Sequence, residues 1–423
     1  MSIQQKQLNI GLFGFGVVGE GLYKVLQQTA SLNASITKVC IKHPEKKRNA
    51  PAELFTTDAE VLLNDPSINV IIELIDDADA AFYIVSRALK SGKAVVSANK
   101  KLIAEHLPEL LALQKENKTP FLYEAGCCAS IPVIRNLEEY YDNDLLQGVQ
   151  GIVNGSTNYI LTRIAEDGLS FAAALKLAQD EGFAESNPAL DIEGIDAVNK
   201  LTLLLVHAYG IVSHPTELVH SGIHLLHAQD AVFAKEKQYE IKLVAQAKKL
   251  RSGKVAAFVL PQFITKENQL YNVKNEYNGV VIESGLADKQ FFYGKGAGGF
   301  PTASAVLSDL SALRYGYKYE YKKKNSGLTA ELTDDFYLRV YVSFDGLFQV
   351  RHELFERIEE WTSNDKRCSI VGIVHFSRLK SDWWKNNNTS LILYPDAILE
   401  KEEVEGLPAK QGLKNVLEHE IFA

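Results

Sequence analysis

The residues whose types and spacing carry the most chemistry lie between Glu181 and Lys200, in EGFAESNPALDIEGIDAVNK. Glu181, Glu185, Asp191, Glu193 and Asp196 supply carboxylates, and Lys200 closes the stretch with an amine. Gly182 and the dipeptide Asn187-Pro188 mark a loop. From Gly194 onward Ile195, Val198, Leu201, Thr202 and Leu205 recur at helical spacing. Asp196 and Lys200 are then i and i+4 on one helix face, with the acid on the N-terminal side. Such carboxylates suit a cationic substrate group, and such an amine suits proton transfer. The same pattern also suits a solvated acidic loop with a surface ion pair, and spacing alone does not separate the two.

A second chemical element opens the chain. The apolar run LNIGLFG is followed by Gly14, Phe15, Gly16, Val17, Val18 and Gly19, and then by the helical EGLYKVLQQ. This is G-x-G-x-x-G in a strand–turn–helix context. The first glycine makes the tight turn, the second admits a pyrophosphate, and the third lets helix and strand pack. The strand over 36–41 runs into KHPEKKRN, so Lys42 and His43 stand where an NAD site places an acid. Cations there suit a 2′-phosphate, which favours NADP, with NAD as the alternative; an ordinary solvated charge run is the competing reading.

The elements that position these groups follow in order. NVIIELI, KAVVSAN and TPFLYEA read as apolar strands, alternating with helices such as AAFYIVSRALK. Alternating βα units mean a parallel sheet with helices on both faces. Asn99, Lys100 and Lys101 fall at the carboxyl end of a strand, where ligands sit in such sheets. From about Pro132 helices and strands mix in an α+β pattern, including Asn154-Gly155-Ser156-Thr157-Asn158 before an apolar helix. The Lys-rich KYEYKKKNSG reads as a linker. The tail is expected to run strand (FYLRVYVSF), helix (QVRHELFERIEEWT), strand (SIVGIVHFS), strand (TSLILYP) and an acidic, mostly helical end.

Composition narrows the class. The 423 residues are 46% hydrophobic and 23% charged, as in an ordinary globular protein. A net charge of −8 gives no reason to expect a nucleic-acid or anionic-membrane partner. No apolar run reaches the roughly 18 residues of a membrane helix, and MSIQQKQLNIGLFGFG shows no signal-peptide pattern. The four cysteines form neither a disulfide framework nor a zinc spacing, and a cytoplasmic location is the simple expectation.

Several ordered segments resemble homoserine dehydrogenase: GFGVVGEGL, SANKKLIAEH, YEAGCCASIPVIRNL, GIVNGSTNYILTRI, AQDEGFAESNPALDIEGIDAVNK and GKGAGGFPTASAVLSDL. The resemblance spans about residues 8–318. It implies an α/β fold with a Rossmann-type doubly wound parallel sheet over 1–131, completed by a returning segment 294–320. It further implies an α+β substrate-binding and dimerisation domain over 132–293, and a homodimer or homotetramer. The implied reaction is NAD(P)-linked interconversion of the small molecules L-homoserine and L-aspartate 4-semialdehyde. Lys200 is then the proton donor, and Lys100 the second lysine beside substrate and nicotinamide. Glu185 and Asp196 hold the substrate amino group, with Asp191 close by. A monovalent cation such as sodium is implied at Glu124, Cys127, Ala129 and Ile131, mostly through backbone carbonyls.

The sequence departs from the family in three places. Asp76-Asp77 replaces a Gly-Gly pair, Cys128 and Ser130 replace glycines, and Phe344-Asp345-Gly346-Leu347 lacks the Asp-x-Pro-Gly turn of an ACT domain. Residues 330–423 therefore resemble a degenerate, small α+β ACT-like domain with a structural role ahead of amino-acid sensing. Two other readings stay open at this stage. One is a different dinucleotide-fold amino-acid or semialdehyde oxidoreductase, which as an aspartate-semialdehyde dehydrogenase would need a nucleophilic cysteine. The other is a non-catalytic NADP-binding sensor.

Overall fold

The computed structural model describes residues 7–143, 145–325, 327, 330–345, 352–363, 367–385 and 389–407. Two compact units form: Met1–Leu146 with Asn199–Pro215 and Phe292–Thr329, and Gln147–Val198 with Thr216–Phe291 and Ala330–Ala423.

The first unit is built on six parallel strands: β1 (Leu8–Phe13), β2 (Ala34–Cys40), β3 (Phe55–Thr56), β4 (Val70–Glu73), β5 (Ala94–Ser97) and β6 (Phe121–Leu122). Their order is β3-β2-β1-β4-β5-β6. Every residue of β4 and β5 is buried, as expected of strands covered on both faces. The helix Ala78–Lys90 buries Ala81, Ile84, Val85, Ala88 and Leu89 on one face. The helices Val17–Gln28 and Gly299–Leu313 pack with little between them: a Cβ on Gly21 would meet the Gly299 carbonyl oxygen at 2.9 Å. The order of the strands reverses between β1 and β4, which places the binding crevice of such a sheet at their carboxyl ends.

The segment read as a Lys-rich linker is instead part of this core. Tyr319 and Tyr321 are buried. The Tyr321 hydroxyl lies 3.1 Å from that of Tyr123, which lies 2.9 Å from His207 Nε2. His207 Nδ1 is 2.8 Å from Glu138, whose other oxygen accepts the Glu320 and Tyr321 amides. Lys322 and Lys324 are exposed, Lys323 donates to the Leu137 and His207 carbonyls at 3.4 and 3.1 Å, and the alternating tyrosines anchor the segment. Glu138 turns inward from a single π-helical turn, Asn136–Tyr140.

The second sheet has ten strands: β7 (Leu146–Ile152), β8 (Val219–His220), β9 (Glu240–Lys249), β10 (Val255–Ile264), β11 (Tyr277–Ser284), β12 (Asp288–Lys295), β13 (Tyr337–Phe344), β14 (Arg357–Ser363), β15 (Cys368–His375) and β16 (Thr389–Leu399). They run β12-β11-β7-β9-β10-β16-β13-β15-β14, with β8 on β10. The tail is thus not a separate layer but an extension of the sheet begun by β9 and β10. Val255 pairs with Leu332, and β16 lies parallel to β10. Phe258 and Leu260 share one apolar cluster with Phe336, Val340, Ile370, Trp384 and Leu393. Burying each such side chain contributes roughly 1.5–3 kcal/mol.

The helix expected at QVRHELFERIEEWT is absent over its described part. A 3-10 turn at His352–Leu354 leads into β14, antiparallel to β15. Residues 349–351 lie outside the described residues. Leu354, Ile358 and Trp361 all pack on the cluster, and their spacing of four and three mimics a helix face. The register shift between Ile358 and Glu360 is the cause: an irregularity there returns a three-residue spacing to one face of the sheet.

Candidate functional site

The glycine turn is formed as its sequence requires. Gly14 has φ +93°, and a Cβ there would lie 2.5 Å from the Leu74 carbonyl oxygen. A Cβ on Gly19 would meet the Gly14 carbonyl oxygen at 2.4 Å, whereas nothing stands within 4 Å of one on Gly16. The first and third positions are closed by the protein's own backbone, and the second faces open space at the start of the helix Val17–Gln28. Such an opening, at a helix N-terminus, suits a pyrophosphate. Asp76 is exposed, and Asp77 caps the helix Ala78–Lys90 by accepting the Ala80 amide at 3.1 Å. One of the two departures from Gly-Gly is therefore committed to a helix end.

At the end of β2, a cavity of about 490 Å³ is lined by Ile41, Pro44, Lys46, Arg48 and Phe55, among others. Arg48 lies over the Phe55 ring at 5.6 Å and donates to the His43 and Lys46 carbonyls at 2.7 Å each. Lys42 and His43, the cations singled out by sequence position, are exposed and do not line this cavity; His43 pairs with Glu45. Of the basic run, Lys46 and Arg48 are the members that line the cavity.

Lys100 begins the helix Lys100–Glu105 at the end of β5. Asn99 caps that helix through Leu102 N (3.0 Å) and ties it to the Ile75 carbonyl (3.0 Å). Lys200 lies on the helix Ile195–Tyr209 and is only 7% exposed. Its charge acts on Cys127. The Cys127 thiol is pushed well up by its contact with Cys128 Sγ, 3.7 Å away, and by burial, with Lys200 opposing. A buried thiol held protonated is inert, so Cys127 is not presented as a nucleophile.

Glu124 and its loop are also buried. The Glu124 carboxylate accepts the Ile134 and Arg135 amides at 2.9 Å each, and its own amide donates to Asp309 at 3.0 Å. Burial, and next the charge of Asp309, push Glu124 up to about 8 despite Arg135. Cys128 and Ala129 both have positive φ, 56° and 38°, so the chain curls tightly without the glycine freedom of the family. The Ile131 carbonyl accepts the Val133 amide at 2.8 Å. Both Glu124 oxygens thus accept backbone amides, and Asp309 also pairs with Arg135 at 3.0 Å.

In the second unit, Asp191 and Asp196 are brought together by a residue the acidic motif did not include. Asn154 Nδ2 donates to Asp191 Oδ1 at 2.6 Å and to Asp196 Oδ2 at 2.9 Å. The loop that carries them is seated by glycines: Gly194 has φ +84°, and a Cβ on Gly222 would overlap the Ile192 carbonyl oxygen at 1.8 Å. Asp196 is 5% exposed and lies one helical turn before Lys200. Glu185 does not join the cluster. Its side chain is exposed, and its backbone carbonyl accepts from Gln179. Glu181 accepts from the Tyr159 hydroxyl at 2.8 Å.

The strand order, with its glycine turn at the switch point, defines a dinucleotide-binding domain. Residues 14–124 match the NAD-binding domain of homoserine dehydrogenase, and residues 132–311 match homoserine dehydrogenase itself. The chain is 33% identical over 401 residues to the homoserine dehydrogenase of Bacillus subtilis, covering 88% of this chain and 92% of that one. It superposes on a homoserine dehydrogenase from Thiobacillus denitrificans with a TM-score of 0.80 at 26% identity, covering 92% and 98% of the two chains. A hyperthermophilic archaeal homoserine dehydrogenase in complex with NADPH gives a TM-score of 0.63 at 25% identity, over 74% and 99%. The chain belongs to the homoserine dehydrogenase family. It is an NAD(P)-dependent oxidoreductase acting on a CH–OH group in amino-acid biosynthesis. Among the described residues, no helix is long and apolar enough to cross a membrane.

Proposed function

We propose that Lys200 exchanges the proton at the substrate's terminal oxygen while the carboxylates of Asp196 and Asp191 hold its amino group. The observation that carries this reading is the carboxylate pair gathered on Asn154, one helical turn before a buried lysine. The nicotinamide cofactor supplies or takes the hydride; the chain's own groups orient the substrate and move the proton. In the reducing direction an alkoxide develops on the aldehyde oxygen, and the Lys200 ammonium stabilises and protonates it. In the oxidising direction the neutral amine of Lys200 accepts the hydroxyl proton of L-homoserine. Lys100, anchored at the end of β5, stands as the second cation beside substrate and nicotinamide. Glu185, exposed on the loop, adds a carboxylate that reaches the substrate amino group on binding.

Gly14 to Gly19 receive the pyrophosphate. NADP is the favoured cofactor, supported by Lys46 and Arg48 in the cavity beyond β2, with Lys42 at its approach. Glu124 with the carbonyls of Cys127, Ala129 and Ile131 takes a monovalent cation such as sodium, which steadies that loop. The dinucleotide-binding part comprises 1–131 with 294–320. The substrate and subunit contacts come from 132–293, and assembly is a homodimer or homotetramer. The edge strand β12 supports assembly, since it exposes Phe291 and Tyr293. The tail 330–423 keeps three strands of an ACT-like unit and serves structure ahead of amino-acid sensing, as its shared core with β10 indicates. The test is steady-state oxidation of L-homoserine by the wild-type chain and by K200A, with NADP and with NAD.

A further inference from the structure

We propose that Asn154 is a positioning residue for substrate: its amide nitrogen sets the spacing and orientation of the Asp191 and Asp196 carboxylates that grip the substrate ammonium. The inference deepens the reading above and rests on it.

The orientation of the amide follows from its other end. Asn154 Oδ1 accepts from the Thr157 amide at 2.8 Å and the Thr157 hydroxyl at 3.0 Å, capping the helix Gly155–Asp167. An amide N–H can only donate, so this end must be the oxygen, and Nδ2 must face the carboxylates. Its two hydrogens then serve one oxygen of Asp191 and one of Asp196. The two acids thus take their bonds from the same amide nitrogen. A carboxylate has about four acceptor sites, and the bond to Asn154 uses one of them on each acid.

Capping alone does not call for an amide. Ser170 caps the helix Phe171–Asp180 through the Ala173 amide, and Asp77 caps the helix Ala78–Lys90. Serine and aspartate are as good at N-caps as asparagine, and threonine follows them. What asparagine adds at 154 is a rigid, two-hydrogen donor facing away from the helix it caps. The backbone that follows is fixed to match. A Cβ on Gly155 would lie 2.6 Å from the Glu276 carbonyl oxygen, and the Ser156 hydroxyl donates to the Phe183 carbonyl at 2.6 Å. The donor therefore has a defined origin, and the two acids take their places from it.

The test separates the cap from the donor, using the full-length chain. N154S keeps an oxygen for the Thr157 amide but loses the bridging nitrogen, and N154A loses both. Hydrogen bonds to charged groups are worth enough that their loss shows as roughly tenfold or more in binding. Both variants are expected to raise KM for L-homoserine by about tenfold or more, with kcat falling less and KM for NADP changing by under about twofold. Only N154A should lower Tm. If N154S fails to fold, N154T, which keeps the same cap, is read in its place. A KM for L-homoserine that stays at the wild-type value in N154S, and rises only in N154A together with loss of Tm, overturns the proposal and leaves Asn154 a cap. If the wild-type chain does not oxidise L-homoserine at all, it is the functional reading that fails instead.

Discussion

Glu73 sits at the end of β4, fully buried, between the glycine turn and the lysine segment of β5. Ser97 donates to its carboxyl at 2.5 Å and the Ile75 amide at 2.7 Å. Burial outweighs these bonds and pushes its pKa from 4.5 to about 7. The folded-state pKa is raised, so the unfolded chain gives up the proton first. The stability contribution is present in full below about pH 4.5 and is lost as the pH rises through about 7. Between pH 5 and pH 8 the linkage removes about 2.5 kcal/mol, from a shift of about 2.5 units at 1.36 kcal/mol each less the part already lost by pH 5. Glu73→Gln removes the titration while keeping an acceptor for Ile75 and a partner for Ser97. Thermal unfolding of both proteins at pH 5 and pH 8 should show the glutamine variant gaining on wild type by about 3 °C between the two pH values. The raised carboxyls of Asp309 and Glu124 are common to both proteins and cancel in the difference. A difference in Tm that does not change with pH would refute the reasoning and show that Glu73 is ionised, or solvated, throughout.

Charge reversal of Lys46 and Arg48 together should weaken NADP by about tenfold or more and spare NAD, while reversal of Lys42 and His43 should do less; steady-state KM values for both cofactors check this, and equal losses for both contradict it. Deleting 325–423 strips four strands from the ten-stranded sheet and bares Phe258 and Leu260, a loss comparable to the roughly 5–15 kcal/mol of a whole domain. The truncation is expected to be insoluble or unfolded by circular dichroism, and millimolar threonine is expected to leave the full-length rate unchanged; a stable truncation that loses threonine inhibition contradicts both. Exchanging sodium or potassium for choline should lower Tm and activity through the Glu124 loop, whereas E124Q should be insensitive to the exchange.

The Rossmann part was readable because its signals are local. The glycine turn and the apolar strands each announce themselves within a few residues. The carboxylate–lysine stretch was equally plain, since Asp196 and Lys200 are fixed by one helix. Asn154 was not, because its partners lie 37 and 42 residues away and its local context reads only as a helix cap. Of the basic run after β2, Lys46 and Arg48 line the cavity and Lys42 is exposed, a difference of direction that sequence position does not carry. The tail misled for a different reason. Ile358 and Trp361 share a face across an irregular strand pairing, a spacing that a helix also produces, and only β15 on the other side decides between them. The buried tyrosines of 317–321 were hidden by the lysines around them.

The central claim is that the buried Lys200 handles the proton in a reaction whose substrate ammonium is held by Asp191 and Asp196. Single-turnover oxidation of L-homoserine with saturating NADP, comparing wild type with K200A, tests it most directly. The wild-type chain should reduce NADP, and K200A should bind both ligands yet turn over roughly a hundredfold more slowly or worse, the usual scale for losing a general acid or base. A folded K200A that retains the wild-type rate constant would contradict it.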